Sequence, residues 1–433
     1  MTSSWPLPTR LLFRFCFVYF GLYVLTTQML NGLLPSPIPG FRPLEQLPPL
    51  LPVFTWTATH VLHLASPPVV LSGSGDKYLN WIAAGWLLAF STAATLVWSV
   101  VDRRRTNDAT LLKWFRVFLR FALGTTMIGY GFVKVFPLQM PYPPLSRLVE
   151  PYGNFSPMGV LWYSIGASPA YEIFVGAAEA LGGILLFIPR TALLGSLIVL
   201  ADTIEVFVLN MTYDVPVKLF SFHLVLMALF LLAPDAKRLL RLVLLDQAVG
   251  PSTVPPLATG PRAKRVVAGV QILFGAWCVW SAVAGDLRSW RQTRATMQQV
   301  FDNRSVAVLY GIWSVDEMAI DQIPRAPLVP DDSRWRRVIV QPGGLVRFQR
   351  MDDSFVDYRM KTDAEAGSLT LTKAGDPNWQ ASFTSERPTF DRLTLDGSMD
   401  GHATRMTLSR VDPNAFLLVN RGFHWIQEFP FNR

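Results

Sequence analysis

Apolar runs long enough to cross a bilayer recur as far as about residue 285, and nothing else in this chain constrains its folding as strongly. They fall at 11–30, 79–101, 117–136, 171–188, 191–209, 216–233 and 266–285. About 20 apolar residues wound into a helix span the roughly 30 Å hydrocarbon layer. The chain therefore reads as a mainly α membrane protein with about seven transmembrane helices. Composition agrees: of 433 residues, 51% are hydrophobic and 16% charged, against about 25% charged in ordinary soluble proteins.

A net charge of +8 raises the question of a nucleic-acid partner. The basic residues sit beside the apolar runs, however, where topology accounts for them and no nucleic acid is expected. One set of connections carries Arg10, Arg103, Arg104, Arg105, Lys113, Arg116, Arg190, Lys237, Arg238, Arg241, Arg262, Lys264 and Arg265. The other carries Arg42, Lys77 and Arg147. The positive-inside rule then makes the N-terminus cytoplasmic, and seven crossings put the C-terminal part outside a bacterial-type inner membrane. Arg10 and Arg14 accompany the first run, and no small-x-small site follows it near Thr26–Leu34. That pattern describes an uncleaved signal-anchor helix. Cys16 and Cys278 both lie inside apolar runs, so no disulfide framework is expected in the exported part.

Four segments follow: N-terminal helices with a long outer loop at 1–116, a four-helix core at 117–233, an interfacial helix with the seventh span and a linker at 234–303, and a β domain at 304–433. The proline-rich outer loop 31–78 contains an amphipathic stretch, Val53–Leu64, suited to the membrane surface. Lys237, Arg238 and Arg241 alternate with leucines in 235–249, which suits an interfacial helix on the cytoplasmic side. Beyond 304 the period changes. Trp335–Val340, Leu345–Gln349, Phe355–Met360, Leu369–Thr372, Trp379–Phe383, Arg392–Leu395 and Ala403–Leu408 resemble strands. Pro342–Gly344, Gly375–Pro377 and Asp396–Gly397 separate them as turns. Regular short strands argue an antiparallel β-barrel or sandwich.

Ionisable side chains inside a membrane are costly, so their positions point to cavities and partners. Glu172 and Glu179 share a face of the fourth span, Asp202 and Glu205 are neighbours on the fifth, Lys218 and His223 lie on the sixth, and Lys134 ends the third. At 1.5 Å of rise per residue, Glu179 and His223 fall roughly 10–12 Å below the outer surface, and Asp202 lies near the midplane. Glu205, Lys134, Lys218 and Asp214 lie closer to the outside. These groups predict one outward-facing polar cavity. The plainer account is that the lysines snorkel to water and the rest are ion pairs fixing helix register.

The loop 137–169 contains Arg147, Glu150, Pro151, Tyr152, Gly153, Asn154, Ser156 and Pro157. Here the chain resembles the DoxX-like membrane proteins. The matching residues are Gly129-Tyr-Gly-Phe-Val-Lys134, Arg147-Leu-Val-Glu-Pro151, Ser156-Pro-Met-Gly159, Tyr171-Glu-Ile-Phe174, Glu179-Ala-Leu-Gly-Gly183, Arg190-Thr191, Asn210 and Tyr213-Asp-Val-Pro-Val-Lys-Leu219. They cover the four-helix core at 117–233. Some relatives of that kind are associated with quinol- or thiosulfate-linked respiratory complexes, so the resemblance implies a membrane subunit with quinone-linked work. It assigns no catalytic residue.

Weaker signals remain. No bis-histidine haem pattern and no Cys-x-x-Cys pair occurs, so a metal-free, haem-free protein is expected, with quinone as the conceivable cofactor. His60 and His63 have no third ligand nearby. Ser72-Gly-Ser-Gly-Asp76 follows no strand and reads as an outer-loop turn, with Asp76 capping the second span. Gly176-x-x-x-Ala180 and Ala178-x-x-x-Gly182 suit close helix packing. In the β domain, loosely similar to a lipocalin through Gly311-x-Trp313, a small barrel holds one ligand or is filled by side chains. Its dense end, Arg421-Gly-Phe-His-Trp425 with Glu428, Pro430, Asn432 and Arg433, reads as a closing strand.

The leading expectation is a redox-associated membrane subunit whose cavity binds a quinone-like or other amphipathic molecule. Glu179, Asp202, Glu205 and His223 would handle protons or bind, with Lys134, Arg147, Glu150, Asp214 and Lys218 near the mouth. One alternative is a proton- or cation-coupled transporter. Another is a scaffold whose β domain recruits a membrane or envelope protein partner.

Overall fold

The computed structural model describes residues 4–34, 38–64, 68–252, 254, 256–302, 309–363, 367–373 and 375–431. Asn432, Arg433 and the opening of the β domain at 304–308 lie outside these residues. Among the described residues six helices are long and apolar enough to cross a membrane: α1 (Leu7–Thr26), α4 (Tyr78–Val101), α8 (Pro169–Phe187), α9 (Ala192–Thr212), α10 (Lys218–Leu232) with its extension to Val243, and α12 (Pro261–Asp302). The expected third span is α5 (Ala109–Val135). It is equally long, but Lys113, Arg116, Arg120 and Lys134 lower its hydropathy and keep it outside the six.

The apolar surface points outward. α4 leaves Trp81, Leu88, Phe90, Leu96 and Val97 half exposed or more, an arrangement that water penalises and lipid satisfies. Six such helices suggest a multi-pass membrane protein. Within the bundle, α5 buries Leu119, Ala122, Leu123, Met127 and Ile128 at helical spacing. The first four share a core with Phe20 and Tyr23 of α1 and with Leu224, Met227 and Leu231 of α10. The shorter helices are α2 (Met29–Leu33), α3 (Leu51–Trp56), which continues as a π turn to Val61, α6 (Leu145–Leu148), α7 (Pro157–Gly166) and α11 (Ala236–Val243). Thus α3 and its π turn together take up most of the expected stretch Val53–Leu64.

The chain divides into two compact units. One comprises Met1–Gln139 and Ala170–Leu287, the other Met140–Pro169 and Arg288–Arg433. Residues 140–169, expected to belong to the four-helix core, are therefore grouped with the β domain.

That domain is a closed antiparallel barrel. Its sheet runs β2-β1-β3-β4-β5-β6-β7-β8-β9, with β1 (Gly311–Ile320) also pairing β9 (His402–Val411). The two-residue β2 (Ile323–Pro324) joins β1 alone, which leaves eight strands in the ring. Between them lie β3 (Trp335–Val340), β4 (Leu345–Arg350), β5 (Phe355–Asp363), β6 (Ser368–Lys373), β7 (Asp376–Thr389) and β8 (Arg392–Met399). Every expected strand is present, and β1 and the short β2 are added. The expected Asp396–Gly397 turn lies inside β8 instead. Gly397 is needed there because a Cβ would collide with the Ser382 carbonyl of β7. The chain reverses at Asp400–Gly401, both with positive φ. β9 closes the ring by pairing with β1, so the described residues Arg421 to Phe431 are not the closing strand.

Alternation fills the barrel with side chains. Trp335 stacks on Phe348 at 3.5 Å, Phe348 meets Tyr358 at 4.6 Å, and Tyr358 meets Trp379 at 4.4 Å. Burial pushes the Tyr358 hydroxyl up to about 12. Of the two uses expected for the interior, ligand or side chains, the aromatic residues take it. Outside, Ile312 and Ile339 are covered by Leu145 and its neighbours from the α6 turn. Arg347 donates to the Ser146 hydroxyl (3.3 Å) and the Gln349 amide to the Val149 carbonyl (3.1 Å).

Candidate functional site

Small residues set the site's geometry by letting α5 and α8 approach backbone to backbone. A Cβ on Gly131 would lie 2.6 Å from the Ala180 nitrogen and 2.6 Å from the Gly176 carbonyl oxygen. A Cβ on Gly124 would meet Phe187 at 2.6 Å. Gly176 and Ala180 thus do what their spacing implies, while Gly182 packs against Ile198 and Val199 of α9. One turn beyond this crossing, Lys134 of α5 and Glu179 of α8 meet, Nζ to Oε2 at 2.6 Å, both buried. The ammonium also lies 5.8 Å from the Tyr130 ring centre. Asp202 and Glu205 lie on α9, the helix against which α8 packs through Gly182. The Asp202 Oδ2 is buried without a hydrogen-bond partner among the described residues, while Glu205 is exposed.

His223 stands in a separate group. Its Nδ1 bonds the Leu219 carbonyl (2.7 Å) and its Nε2 the Tyr19 hydroxyl (2.7 Å). A carbonyl only accepts, so Nδ1 carries the proton and a neutral ring accepts from Tyr19 at Nε2. The ring lies flat on Tyr23, with centres 3.9 Å apart and planes 5° apart.

At the start of α10, Asp76 accepts from the Lys218 and Leu219 backbone N–H groups at 2.7 and 2.9 Å. It therefore caps α10 rather than α4, the second span. The cationic Lys218, unfavourable at a helix N-terminus, is offset by Asp214 at 2.8 Å and Asp76 at 3.9 Å. Gly75 donates to the Pro216 carbonyl at 2.8 Å, which ties the glycine-rich loop to α10.

Beneath that loop lies a cavity of about 410 Å³. Tyr23, Gln28, Glu45, Lys77, Asn80 and Tyr130 supply its polar wall, and Ala83, Leu87 and Phe220 its apolar one. Gln28 donates to the Tyr130 hydroxyl (2.8 Å), Asn80 to Glu45 (3.0 Å), and Lys77 to the Val70 carbonyl (2.5 Å). None of the nine expected cavity residues lines it. His223 sits behind Tyr23, and the Lys134–Glu179 pair behind Tyr130. Arg147 and Glu150 pair with each other in the other unit, where Arg147 also lies over Phe155 and Tyr163. The residues that sequence reasoning passed over had faint signals. Tyr19 and Tyr23 repeat at i,i+4, and Glu45 is the single acid between Asn31 and Gly75. No group of three or more His, Cys, Asp or Glu placed to hold a metal occurs among the described residues.

No family model matches the chain, and no solved structure matches it. Over 133 residues it is 30% identical to "Uncharacterized protein YwoB" of Bacillus subtilis (strain 168), covering 29% of this chain and 76% of that protein. The chain belongs to the YwoB family. In this YwoB-family chain the cavity combines donors, an acceptor carboxylate and an apolar wall, a combination that holds a molecule polar at one end and apolar at the other.

Proposed function

We propose that this protein is a multi-pass membrane subunit that binds a quinone-like amphipathic molecule in the cavity bounded by α1, α4, α5 and α10. The observation that carries the reading is the two-sided wall of that cavity. Tyr23 and Tyr130 face it, and each is backed by a buried group able to hold or share a proton, His223 and the Lys134–Glu179 pair. Ring carbonyls would accept from Gln28, Asn80, Lys77 or the phenols, and an aliphatic tail would run along Ala83, Leu87 and Phe220. The DoxX-like resemblance supports the same reading, because Tyr130, Lys134 and Glu179 all belong to its matching residues. On this reading the membrane is a bacterial-type inner membrane, the N-terminus is cytoplasmic, and the cavity and barrel lie on the outer side.

The test is a titration of the full-length protein in lipid nanodiscs with a short-chain quinone, followed by tryptophan fluorescence. Saturable quenching is expected, and Asn80→Leu or Tyr130→Phe should weaken it up to about tenfold, the effect of one lost hydrogen bond. Quenching that stays linear with added quinone, and is indifferent to both substitutions, would refute the assignment.

A further inference from the structure

The end of the helical unit where α10 stops and α12 starts carries a surface that its own fold does not use. α10 runs through the turn Ala233–Asp235 directly into α11. No residue of α11 is buried. Leu240, Leu242, Val243, Leu244 and Leu245 are all about half exposed or more, while Lys237 and Arg241 are exposed between them. An aliphatic stripe of that size is unfavourable in water.

The start of α5 is bonded into the same corner. Arg116 donates to the Leu231 carbonyl at 3.0 Å and Lys113 to the Leu257 carbonyl at 3.3 Å. The acids here are mostly consumed internally. Asp102 and Asp108 pair with Arg14 and Arg105, and Asp235 pairs with Arg116 and Arg238. Asp246 is exposed, against the exposed cations Arg103, Arg104, Lys237, Arg241, Arg262 and Lys264. None of those six forms a salt bridge among the described residues.

We propose that α11 lies in the membrane–water interface and that this basic corner binds the headgroups of anionic phospholipids. Three observations select that occupant. α11 continues a helix apolar enough to span a bilayer, so its aliphatic stripe starts where that span reaches the acyl boundary. Its cations alternate with that stripe, the pattern of an interfacial helix. Basic residues placed immediately beside a span gather anionic lipid. The inference rests on the membrane reading and is independent of the cavity's ligand.

The experiment uses the full-length protein in nanodiscs of phosphatidylcholine, alone or mixed with phosphatidylglycerol. A spin label at Leu244→Cys, in a background carrying Cys16→Ser and Cys278→Ser, should be accessible to oxygen and shielded from a water-soluble nickel complex. Lipid retained on detergent extraction, measured by native mass spectrometry, should favour phosphatidylglycerol. That preference should fall tenfold or more, on the order expected for two interfacial cations, in Lys237→Gln/Arg241→Gln. Should that variant fold poorly, Arg262→Gln/Lys264→Gln should lower the preference while Lys237→Arg/Arg241→Lys keeps it. Added salt should weaken the preference by screening, with inorganic phosphate no more effective than chloride at equal ionic strength. Tyr130→Phe should leave it unchanged, which separates this outcome from that of the cavity. A nickel-accessible label, a preference unmoved by either double variant, or displacement specific to phosphate would overturn the proposal.

Discussion

Glu179 shows how a neighbour decides what a side chain does. As an isolated carboxylate in a helix bundle, its replacement by Gln would remove a desolvation cost. Paired with Lys134 at 2.6 Å, the same replacement strands a buried ammonium. Glu179→Gln should therefore destabilise the protein by about 3–5 kcal/mol, the cost of breaking a buried pair from one side. The double variant Lys134→Gln/Glu179→Gln should recover most of the loss, because neither partner then carries charge. Thermal unfolding of the single and double variants in detergent measures the coupling, and equal melting would mean there is none. Glu179 and Lys134 were legible as costly groups in the sequence. That they meet each other, while His223 meets Tyr19 and Tyr23 instead, depends on which helices pack together.

Among the elements, the α5–α8 crossing carries the most consequence, since it sets where Lys134 and Glu179 meet. A methyl at Gly131 would press on the Ala180 and Gly176 backbone, whereas a methyl at Gly129 meets nothing within 4 Å. Gly131→Ala should cost about 1–3 kcal/mol through overpacking. Gly129→Ala, two residues away on the same helix, should be neutral or stabilising by up to about 1 kcal/mol from helix propensity. Parallel melting curves of the two variants provide the comparison; loss of stability in both would point to the helix itself rather than the crossing. The barrel strands were readable from alternation and turn residues. The position of Gly397 was not, because a glycine in a strand and a glycine in a turn look alike until the facing Ser382 carbonyl is known.

For the whole molecule, the proposed orientation rests on the distribution of the basic residues. A reporter active only in the cytoplasm should work when fused after Arg105 or Arg241 and fail after Arg433. Activity at the last position would invert the arrangement or remove a crossing. The two-unit division adds a point that the order of segments conceals. Residues 140–169 lie between two long helices in sequence, yet their α6 turn packs on Ile312 and Ile339 of the barrel. The insertion thus ties the barrel unit into the chain at a second place besides α12.

Apolar runs, flanking cations and alternating strands reflect local free energies, the transfer of side chains from water and the pleat of a strand. The sequence by itself therefore determined how many long helices to expect, within the ambiguity of the charged α5, and where the barrel strands fall. Tertiary structure decided the rest. Which carboxylate found a cation, which tyrosines faced the cavity, what Asp76 caps, and which unit residues 140–169 joined all depend on residues distant in sequence. Their pairing follows from close approach and hydrogen-bond geometry, and no local periodicity encodes it.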